Sequence, residues 1–249
     1  MTHKFGSFKY DGDLVERTHD KFYLNENRKD NPKEYFKFIS AIASSVLEKP
    51  LVEVAEVGCA TGDFAYYLSS VYPAIRLSAF DIDEELLARA RREVPSVTFD
   101  LINIARNPLP ERYDAVFMNG VHSIFDDLNW LDHLLASVKP GGSLFVFGLF
   151  NSEDLDVMIK SRASCTSGAW ETGWNVFSRK TVAHAVSSAG GGQVQFHDFA
   201  IEIDLPKVSQ DPLRSWTERL ATGERLIRNG LQLINTLSLM EVTVGLADH

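Results

Sequence analysis

Between residues 51 and 150, the chain alternates short apolar runs with amphipathic stretches, and this alternation constrains the fold more than any other feature. The apolar runs are VEVAEVG, IRLSAFDID, SVTFDLI, YDAVFMNG and SLFVFGLF, and helical patterns such as DFAYYLSSVY and EELLARARREV lie between several of them. Strands that alternate with helices pair in parallel through right-handed crossovers. We therefore predict an α/β fold, a three-layer sandwich with a mostly parallel sheet between two helical layers.

The segments outside this region add one helix, two strands and two insertions. Apolar residues fall at helical spacing from Lys33 to Leu47. GQVQFHDFAIEID and LINTLSLMEVTVGL have the composition of two last strands, which would complete a sheet of seven. Regular patterns fail over 151–178 and 206–230, so we interpret both stretches as cover insertions after the fifth and sixth strands.

Charge and cysteine content argue against several classes of partner. The formal net charge is -9 and the pI is about 5.3. Because Lys and Arg contacts to phosphates supply most nucleic-acid affinity, we expect no nucleic-acid partner and no anionic membrane partner. Cys59 and Cys165 lie far apart without ligand-like spacing, so we expect no disulfide framework and no metal site. With no signal-peptide run and no apolar stretch of about 18 residues, we expect a soluble, cytoplasmic protein.

The stretch LVEVAEVGCATGDF at 51–64 predicts a buried strand, a glycine-bounded turn and then a helix. Gly58 can adopt backbone angles closed to other residues, and Ala60 keeps the turn thin. Gly62 lets a ligand approach the start of the helix, where free N–H groups point outward. Asp81 follows Gly62 by nineteen residues and ends the second strand. Its carboxylate can accept hydrogen bonds from ribose hydroxyls, which predicts a nucleoside site.

The spacing Gly-x-Ala-x-Gly differs from the Gly-x-Gly-x-x-Gly of dinucleotide-binding enzymes, in which a pyrophosphate sits on the helix. The turn would therefore face a ligand without phosphate. A dinucleotide-dependent oxidoreductase stays open as an alternative.

Taken together, EVGCATG, FDID, FDLINI, YDAVFMNG and KPGGSLFVF resemble the class I, Rossmann-like S-adenosylmethionine-dependent methyltransferases over residues 35–150. The resemblance implies S-adenosyl-L-methionine as the cofactor, with the glycine turn against its methionine part and sugar. The implied cofactor-binding residues are Glu56, Gly58, Cys59, Ala60, Gly62, Asp81, Ile82, Asn103, Ile104, Asn119 and Gly120.

The resemblance also implies a role for several of these residues. Glu56 would orient the cofactor's ammonium, and Ile82 and Ile104 would sandwich the adenine ring. Asn103 stands where the family usually has an Asp that contacts the adenine amino group, and its carbonyl can supply the same acceptor. Asn119 and Gly120 would lie beside the methionine end.

His122 is the candidate general base, since it follows the fourth strand and an imidazole with a pKa near 6.5 can take a proton from a hydroxyl acceptor. The alternative is that His122 packs structurally. For the acceptor pocket we select Tyr23, Trp170 and Trp174, because the arm and the insertions commonly cover the ligand edge of this fold. Such aromatic residues also anchor loops to the core.

The sequence thus predicts methyl transfer to a small-molecule or saccharide acceptor, through O- or N-methylation. A noncatalytic cofactor-binding or interaction module of the same fold stays open, and so does the oligomeric state, a homodimer included. The organisation we expect is a single methyltransferase domain over 1–249, with an N-terminal arm (1–34), a cofactor-binding core (35–150) and C-terminal strands with substrate-cover insertions (151–249).

Overall fold

The computed structural model describes residues 20–25, 28–161, 170–173, 175–199, 216–219, 225–228 and 237–245. Within these ranges the helices are α1 (Glu34–Leu47), α2 (Asp63–Val71), α3 (Glu84–Glu93), α4 (Asn129–Ala136) and α5 (Arg179–Ser188), with 3₁₀ turns at Asp20–Asn25 and His122–Ile124. The strands are β1 (Glu53–Val57), β2 (Arg76–Asp81), β3 (Thr98–Leu101), β4 (Tyr113–Asn119), β5 (Val138–Asn151), β6 (Lys160–Ser161), β7 (Glu171–Thr172), β8 (Phe177–Ser178), β9 (Val194–Asp198), β10 (Trp216–Arg219), β11 (Arg225–Arg228) and β12 (Leu237–Thr243).

The main sheet runs in the order β3-β2-β1-β4-β5-β12-β9. Its first five strands pair in parallel, whereas β12 lies antiparallel between β5 and β9. The short β8 extends the end of β5 in parallel. This arrangement confirms the predicted mostly parallel sheet of seven strands, and it brings the carboxyl ends of β1 to β5 to one edge.

Alternate residues of each strand face opposite helical layers, which creates two cores. Phe117 of β4 lies in the core that includes buried residues of α1, α2 and α3. Its neighbours Val116 and Met118 face the other core, to which α4 and α5 contribute Trp130 and Val182. Burial of each such side chain stabilises the fold by about 1.5–3 kcal/mol, so the two cores fix the sheet between the helical layers.

Local signals set the helix starts that matter for the site. Asp83 caps α3 by accepting hydrogen bonds from the backbone N–H groups of Glu85 and Leu86. Ser178 caps α5 in the same way through Thr181. Helix α2 begins directly after Gly62, whose φ is +80°, so a left-handed turn joins β1 to α2.

The predicted insertions follow β5 and β9, as the sequence indicated. In the first, β6 pairs antiparallel with β7, and Val157 bridges Val176. In the second, β10 pairs antiparallel with β11. None of the helices in the described ranges is long and apolar enough to cross a membrane.

Candidate active site

Neighbouring side chains, as well as backbone angles, restrict which residues can form the glycine turn between β1 and α2. Gly58 has a φ of +76°, and a Cβ placed on it would lie 2.2 Å from Cγ2 of Val121. Gly62 has a φ of +80°, and its Cβ would lie 2.9 Å from the Phe99 ring. Ala60 has a φ of +47°, a left-handed angle that costs an alanine about 1 kcal/mol. No larger residue fits at either glycine.

Asp81 holds this turn in place. Its Oδ2 accepts a hydrogen bond of 2.7 Å from the backbone N–H of Ala60, and its Oδ1 accepts from Ile82 (2.7 Å) and Asp83 (3.0 Å). Burial raises the pKa of the Asp81 carboxyl, and these backbone hydrogen bonds oppose the rise. A carboxylate has about four acceptor sites, so after three backbone bonds one is left for a ligand. The expected ribose contact therefore shares this carboxylate with a structural role that the sequence analysis missed.

A cavity of about 270 Å³ opens above the turn, at the carboxyl edge of the sheet. Most of the predicted site residues line it: Tyr23, Glu56, Gly58, Cys59, Ala60, Asp81, Ile82, Asn103, Ile104, Asn119 and Gly120. Residues that we did not select also line it, among them Lys33, Tyr35, Val121, Ser123 and Thr172. The cavity thus brings residues from β1, β2, β4, the N-terminal arm and the first insertion into one site.

Three predicted residues that the structure describes are not part of this lining. Gly62 lies at the start of α2, where its packing against Phe99 explains the glycine. His122 is fully buried behind the cavity. Trp170 is 58% exposed and lies just before β7, whereas Thr172 lines the cavity. Trp174 lies outside the described residues.

Glu56 is the most strongly perturbed acid of the cavity. It is 2% exposed, and its Oε2 has no hydrogen-bond partner among the described residues. Burial raises the pKa of Glu56 well above its usual value, and the negative charges of Asp81 and Asp63 add to the effect. The Ala65 backbone N–H donates to this carboxylate and opposes the rise, but the unpartnered Oε2 stays costly, so this position favours a ligand that brings a positive charge.

Asn119 and Cys59 differ in what they offer a ligand. Within the described residues, neither the oxygen nor the nitrogen of the Asn119 side-chain amide has a hydrogen-bond partner, although both atoms are buried. Burial raises the pKa of the Cys59 thiol, and the nearby Glu56 and Asp81 raise it further. The thiol therefore stays protonated and is a poor nucleophile, whereas Asn119 can both donate and accept.

His122 does not have the surroundings of a general base. Its Nε2 lies 2.9 Å from the backbone oxygen of Leu149, and its ring stacks on Phe150 at a centroid distance of 4.5 Å. Gly148 makes room for the ring, since a Cβ there would lie 2.2 Å from Cε1 of His122. Burial lowers the pKa of His122 to about 4. This geometry favours the structural alternative over the predicted catalytic role.

The first insertion is attached to the site through Asn175, which is fully buried. Its Nδ2 donates to the Phe125 backbone oxygen (2.8 Å) and to Oδ1 of Asp126 (2.9 Å), and its Oδ1 accepts from the Ile159 backbone N–H (2.7 Å). The Thr172 hydroxyl donates to the same Asp126 oxygen at 2.6 Å. These bonds place Thr172 at the cavity. An Asn in a polar loop carries no signal that would have identified this role from sequence.

The N-terminal arm approaches the site from the other side. The Arg28 backbone N–H donates to Oδ1 of Asp63 at 3.3 Å, close to the start of α2. Arg89 of α3 donates to the backbone oxygens of Tyr23 and Leu24. The described part of the arm therefore lies across the ligand edge, and Tyr23 reaches the cavity.

Comparison with known proteins assigns part of the chain to a family. Residues 54–142 match the family described as "Methyltransferase domain". The chain is 32% identical over 94 residues to a trans-aconitate 2-methyltransferase of Rhodopseudomonas palustris, covering 37% of each chain. It is 31% identical over 117 residues to a malonyl-[acyl-carrier protein] O-methyltransferase of Bacillus cereus, covering 46% of this chain and 44% of the relative. It therefore spans less than half the length of these curated relatives.

The fold is also that of a solved methyltransferase. An S-adenosylmethionine-dependent methyltransferase from Clostridium acetobutylicum superposes with a TM-score of 0.59 at 9% identity, covering 92% of this chain and 100% of that one. This similarity shows the Rossmann-like fold. The family match over residues 54–142 includes the glycine turn and the fourth strand, so this region is similar to methyltransferase domains in both sequence and fold.

Proposed function

Because residues 54–142 form a methyltransferase domain, we propose that this protein transfers a methyl group from S-adenosyl-L-methionine to a small-molecule or saccharide acceptor, at oxygen or nitrogen. The observation that carries the proposal is the pairing of Gly58, where a Cβ would be strained and would clash with Val121, with the buried and unpartnered Oε2 of Glu56 in one cavity. S-adenosylmethionine has an ammonium that suits this carboxylate and a ribose that suits Asp81.

Each group of the cofactor has residues that fit it chemically. Glu56 would receive the ammonium, and the remaining acceptor site of Asp81 would receive a ribose hydroxyl. Ile82 and Ile104 supply apolar surfaces for an adenine ring, and Asn103 supplies an acceptor for its amino group. Asn119 has a buried amide that can bond to the methionine end.

When bound, S-adenosylmethionine supplies an electrophilic methyl group, which passes to a lone pair of the acceptor while the electrons of the broken carbon–sulfur bond stay on sulfur. The residues of the chain would mainly position the cofactor and the acceptor and shield them from water. Alignment of two bound reactants can lower a barrier by several kcal/mol, about 7–11 at most. Tyr23 from the arm and Thr172 from the insertion close the cavity from opposite sides and would keep water out.

The described lining contains no histidine, which bears on the chemistry of the acceptor. An alcohol must lose a proton during methylation, whereas a carboxylate or a neutral amine offers a lone pair directly. Since His122 is buried behind the cavity, the site is better suited to an acceptor that needs no strong base. The two relatives are named for trans-aconitate and for malonyl-[acyl-carrier protein], and an acid acceptor agrees with this reasoning.

Titration calorimetry of the full chain with S-adenosylhomocysteine and with NADH tests the cofactor. We expect saturable binding of the first and none of the second. Asp81→Asn should weaken binding by about 1–3 kcal/mol, because the amide cannot keep all its acceptor bonds. Asp100→Asn is the matched control, since Asp100 is exposed on β3 and is not among the described lining residues of the cavity. Absence of binding by the wild-type chain, or equal binding of NADH, would contradict the proposal, and binding without any transfer would leave a noncatalytic module.

A further inference from the structure

Three charged residues join the N-terminal arm to the end of α3. Glu93, the last residue of this helix, accepts a hydrogen bond of 2.7 Å from Nε of Arg89 on its Oε1. Its Oε2 lies 3.1 Å from Nζ of Lys29, which belongs to the arm, and the same ammonium donates to the Glu93 backbone oxygen at 3.0 Å. Glu93 therefore binds one cation of the arm and one of its own helix.

This cluster differs from an isolated ion pair at the surface. The side chains of Arg89, Lys29 and Glu93 are only 15%, 18% and 30% exposed. The hydrogen bond from Arg89 lowers the pKa of Glu93, burial opposes this effect, and the hydrogen bond from Lys29 lowers the pKa further. Single exposed pairs contribute little to stability, whereas networks of several charges contribute measurably. The cluster is therefore a contact that can hold the arm in place.

Arg89 transmits this contact to the cavity. Its Nη1 donates to the backbone oxygen of Tyr23 at 3.0 Å and to that of Leu24, and Tyr23 lines the cavity. A guanidinium is planar, so its donors have fixed relative directions. The bond from Nε to Glu93 therefore sets the direction in which Nη1 points. Glu93 thus positions Tyr23, although it is not itself among the described lining residues.

The described part of the arm lies along the half of the cavity that β1 and β2 form. The Arg28 backbone N–H donates to Asp63, the first residue of α2, and Nζ of Lys29 lies 5.5 Å from the ring centroid of Tyr66 in the same helix. Asp63 and Leu86 of α3 both line the cavity. Helices α2 and α3 follow β1 and β2, whose ends carry residues that are expected to bind the nucleoside. A nucleoside bound there would lie beneath the arm.

We propose that Glu93 is a positioning residue of the cofactor site, which acts through Arg89 and Lys29 to hold the arm closed over the nucleoside and thereby limits the rate of cofactor exchange. The inference rests on the proposed function and adds a residue to it. A bound ligand leaves when the arm opens, and opening breaks the contacts of Glu93. A change that weakens these contacts raises the population of the open arm, so it should speed the release of the ligand.

The test measures how fast S-adenosylhomocysteine dissociates from the full chain, immobilised for surface plasmon resonance. Glu93→Gln removes the charge but keeps the length of the side chain, and we expect it to speed dissociation by about threefold to fivefold. Glu84→Gln is the matched control, because Glu84 is 61% exposed and pairs with Arg91 of the same helix. It should leave the rate within about 1.5-fold of the wild type. Added salt should speed dissociation from the wild type more than from Glu93→Gln, since salt screens the charges of the cluster.

Hydrogen–deuterium exchange of the ligand-free chain gives a second readout, which a role of Glu93 confined to α3 would not move. The amides of the arm at 23–25 and 28–29 should exchange faster in Glu93→Gln than in the wild type. Those of α5, on the other side of the sheet, should not change.

The proposal is overturned if Glu93→Gln releases S-adenosylhomocysteine at the wild-type rate, if Glu84→Gln speeds release equally, if salt acts equally on both proteins, or if the exchange of the arm stays unchanged. A wild type that binds no S-adenosylhomocysteine would instead contradict the proposed function. The deuterium exchange of the arm would then still show whether Glu93 holds it.

Discussion

The two halves of the ligand edge are held in shape by different means. At the ends of β1 and β2, backbone conformation determines the shape of the edge. Gly58 and Ala60 adopt left-handed angles, and Asp81 fixes the turn by accepting hydrogen bonds from backbone N–H groups. At the ends of β4 and β5, side-chain contacts determine the shape, for example the stacking of Tyr35 on Phe147 and the hydrogen bonds of Asn175. The first half therefore depends on short-range spacing, and the second depends on segments that are distant in sequence.

The largest expected effect belongs to the backbone half. Gly58→Ala adds a Cβ that would lie 2.2 Å from Val121 at a φ of +76°, so we expect cofactor affinity to fall by about a hundredfold or more, from strain of about 1–3 kcal/mol plus the clash. Calorimetry with S-adenosylhomocysteine measures it. Gly190→Ala is the control, because Gly190 has a similar φ of +74° and nothing within 4 Å of a Cβ. Adding Val121→Ala should recover part of the loss, and an unaffected Gly58→Ala would show that the turn does not contact the cofactor.

Glu56→Gln should have an intermediate effect. It should lower the affinity for the cofactor but raise the stability of the ligand-free protein at pH 7. We expect cofactor affinity to fall by about tenfold or more, as when a hydrogen bond to a charged group is lost. Because burial raises the pKa of Glu56 above its ordinary 4.5, the folded state binds the proton more tightly than the unfolded state, and stability falls as pH rises from that value towards the folded-state pKa. The ligand-free variant should therefore unfold at a higher temperature than the wild type at pH 7, and the gain should vanish below about pH 4.

Thermal unfolding between pH 4 and pH 8 measures this difference. Glu111→Gln, at an exposed position, is the control and should leave the unfolding profile unchanged. Should Glu56→Gln destabilise the ligand-free protein at pH 7, the carboxylate would have a partner after all.

His122→Phe should have the smallest effect on turnover, within about threefold, whereas loss of a general base typically costs about a hundredfold or more. Phenylalanine keeps the stacking on Phe150 but removes the titrating ring. Since burial lowers the pKa of His122 to about 4, the unfolded state binds more protons between that value and about 6.5, and the wild type loses up to about 3 kcal/mol as pH falls through this window. The variant should lose less in the same window, measured by chemical denaturation. A hundredfold loss of turnover would instead support a role of His122 as the general base.

The contrast between the backbone-determined half and the side-chain-determined half also explains how much of the fold and of the site could be predicted from the sequence. The α/β class and the mostly parallel sheet followed from hydrophobic alternation, and the turn between β1 and α2 followed from Gly58, Ala60 and Gly62, whose spacing sets local geometry. Lys33 was overlooked because the helical pattern marks it only as the start of α1, and nothing local indicates that Tyr23 and Tyr35 meet around it.

Two other residues show where sequence signals were incomplete. Trp170 was selected for its size, but it lies exposed just before β7, and composition does not encode which residue of an insertion reaches the cavity. For His122 a signal did exist. Gly148 interrupts the bulky apolar run SLFVFGLF, and a glycine inside a strand indicates that another group approaches closely.

The hydrogen bonds of Asn175 also bear on how ligands enter and leave. To lift the first insertion away from the sheet, the chain must break the bonds of Asn175 to Phe125 and Asp126 together with the bond of Thr172 to Asp126, at about 0.5–1.5 kcal/mol each. We expect the substrate to enter and the product to leave beneath the N-terminal arm instead. Amide protons of the insertion around Asn175 should then exchange with deuterium more slowly than those of the arm at 28–33, whether or not a ligand is bound.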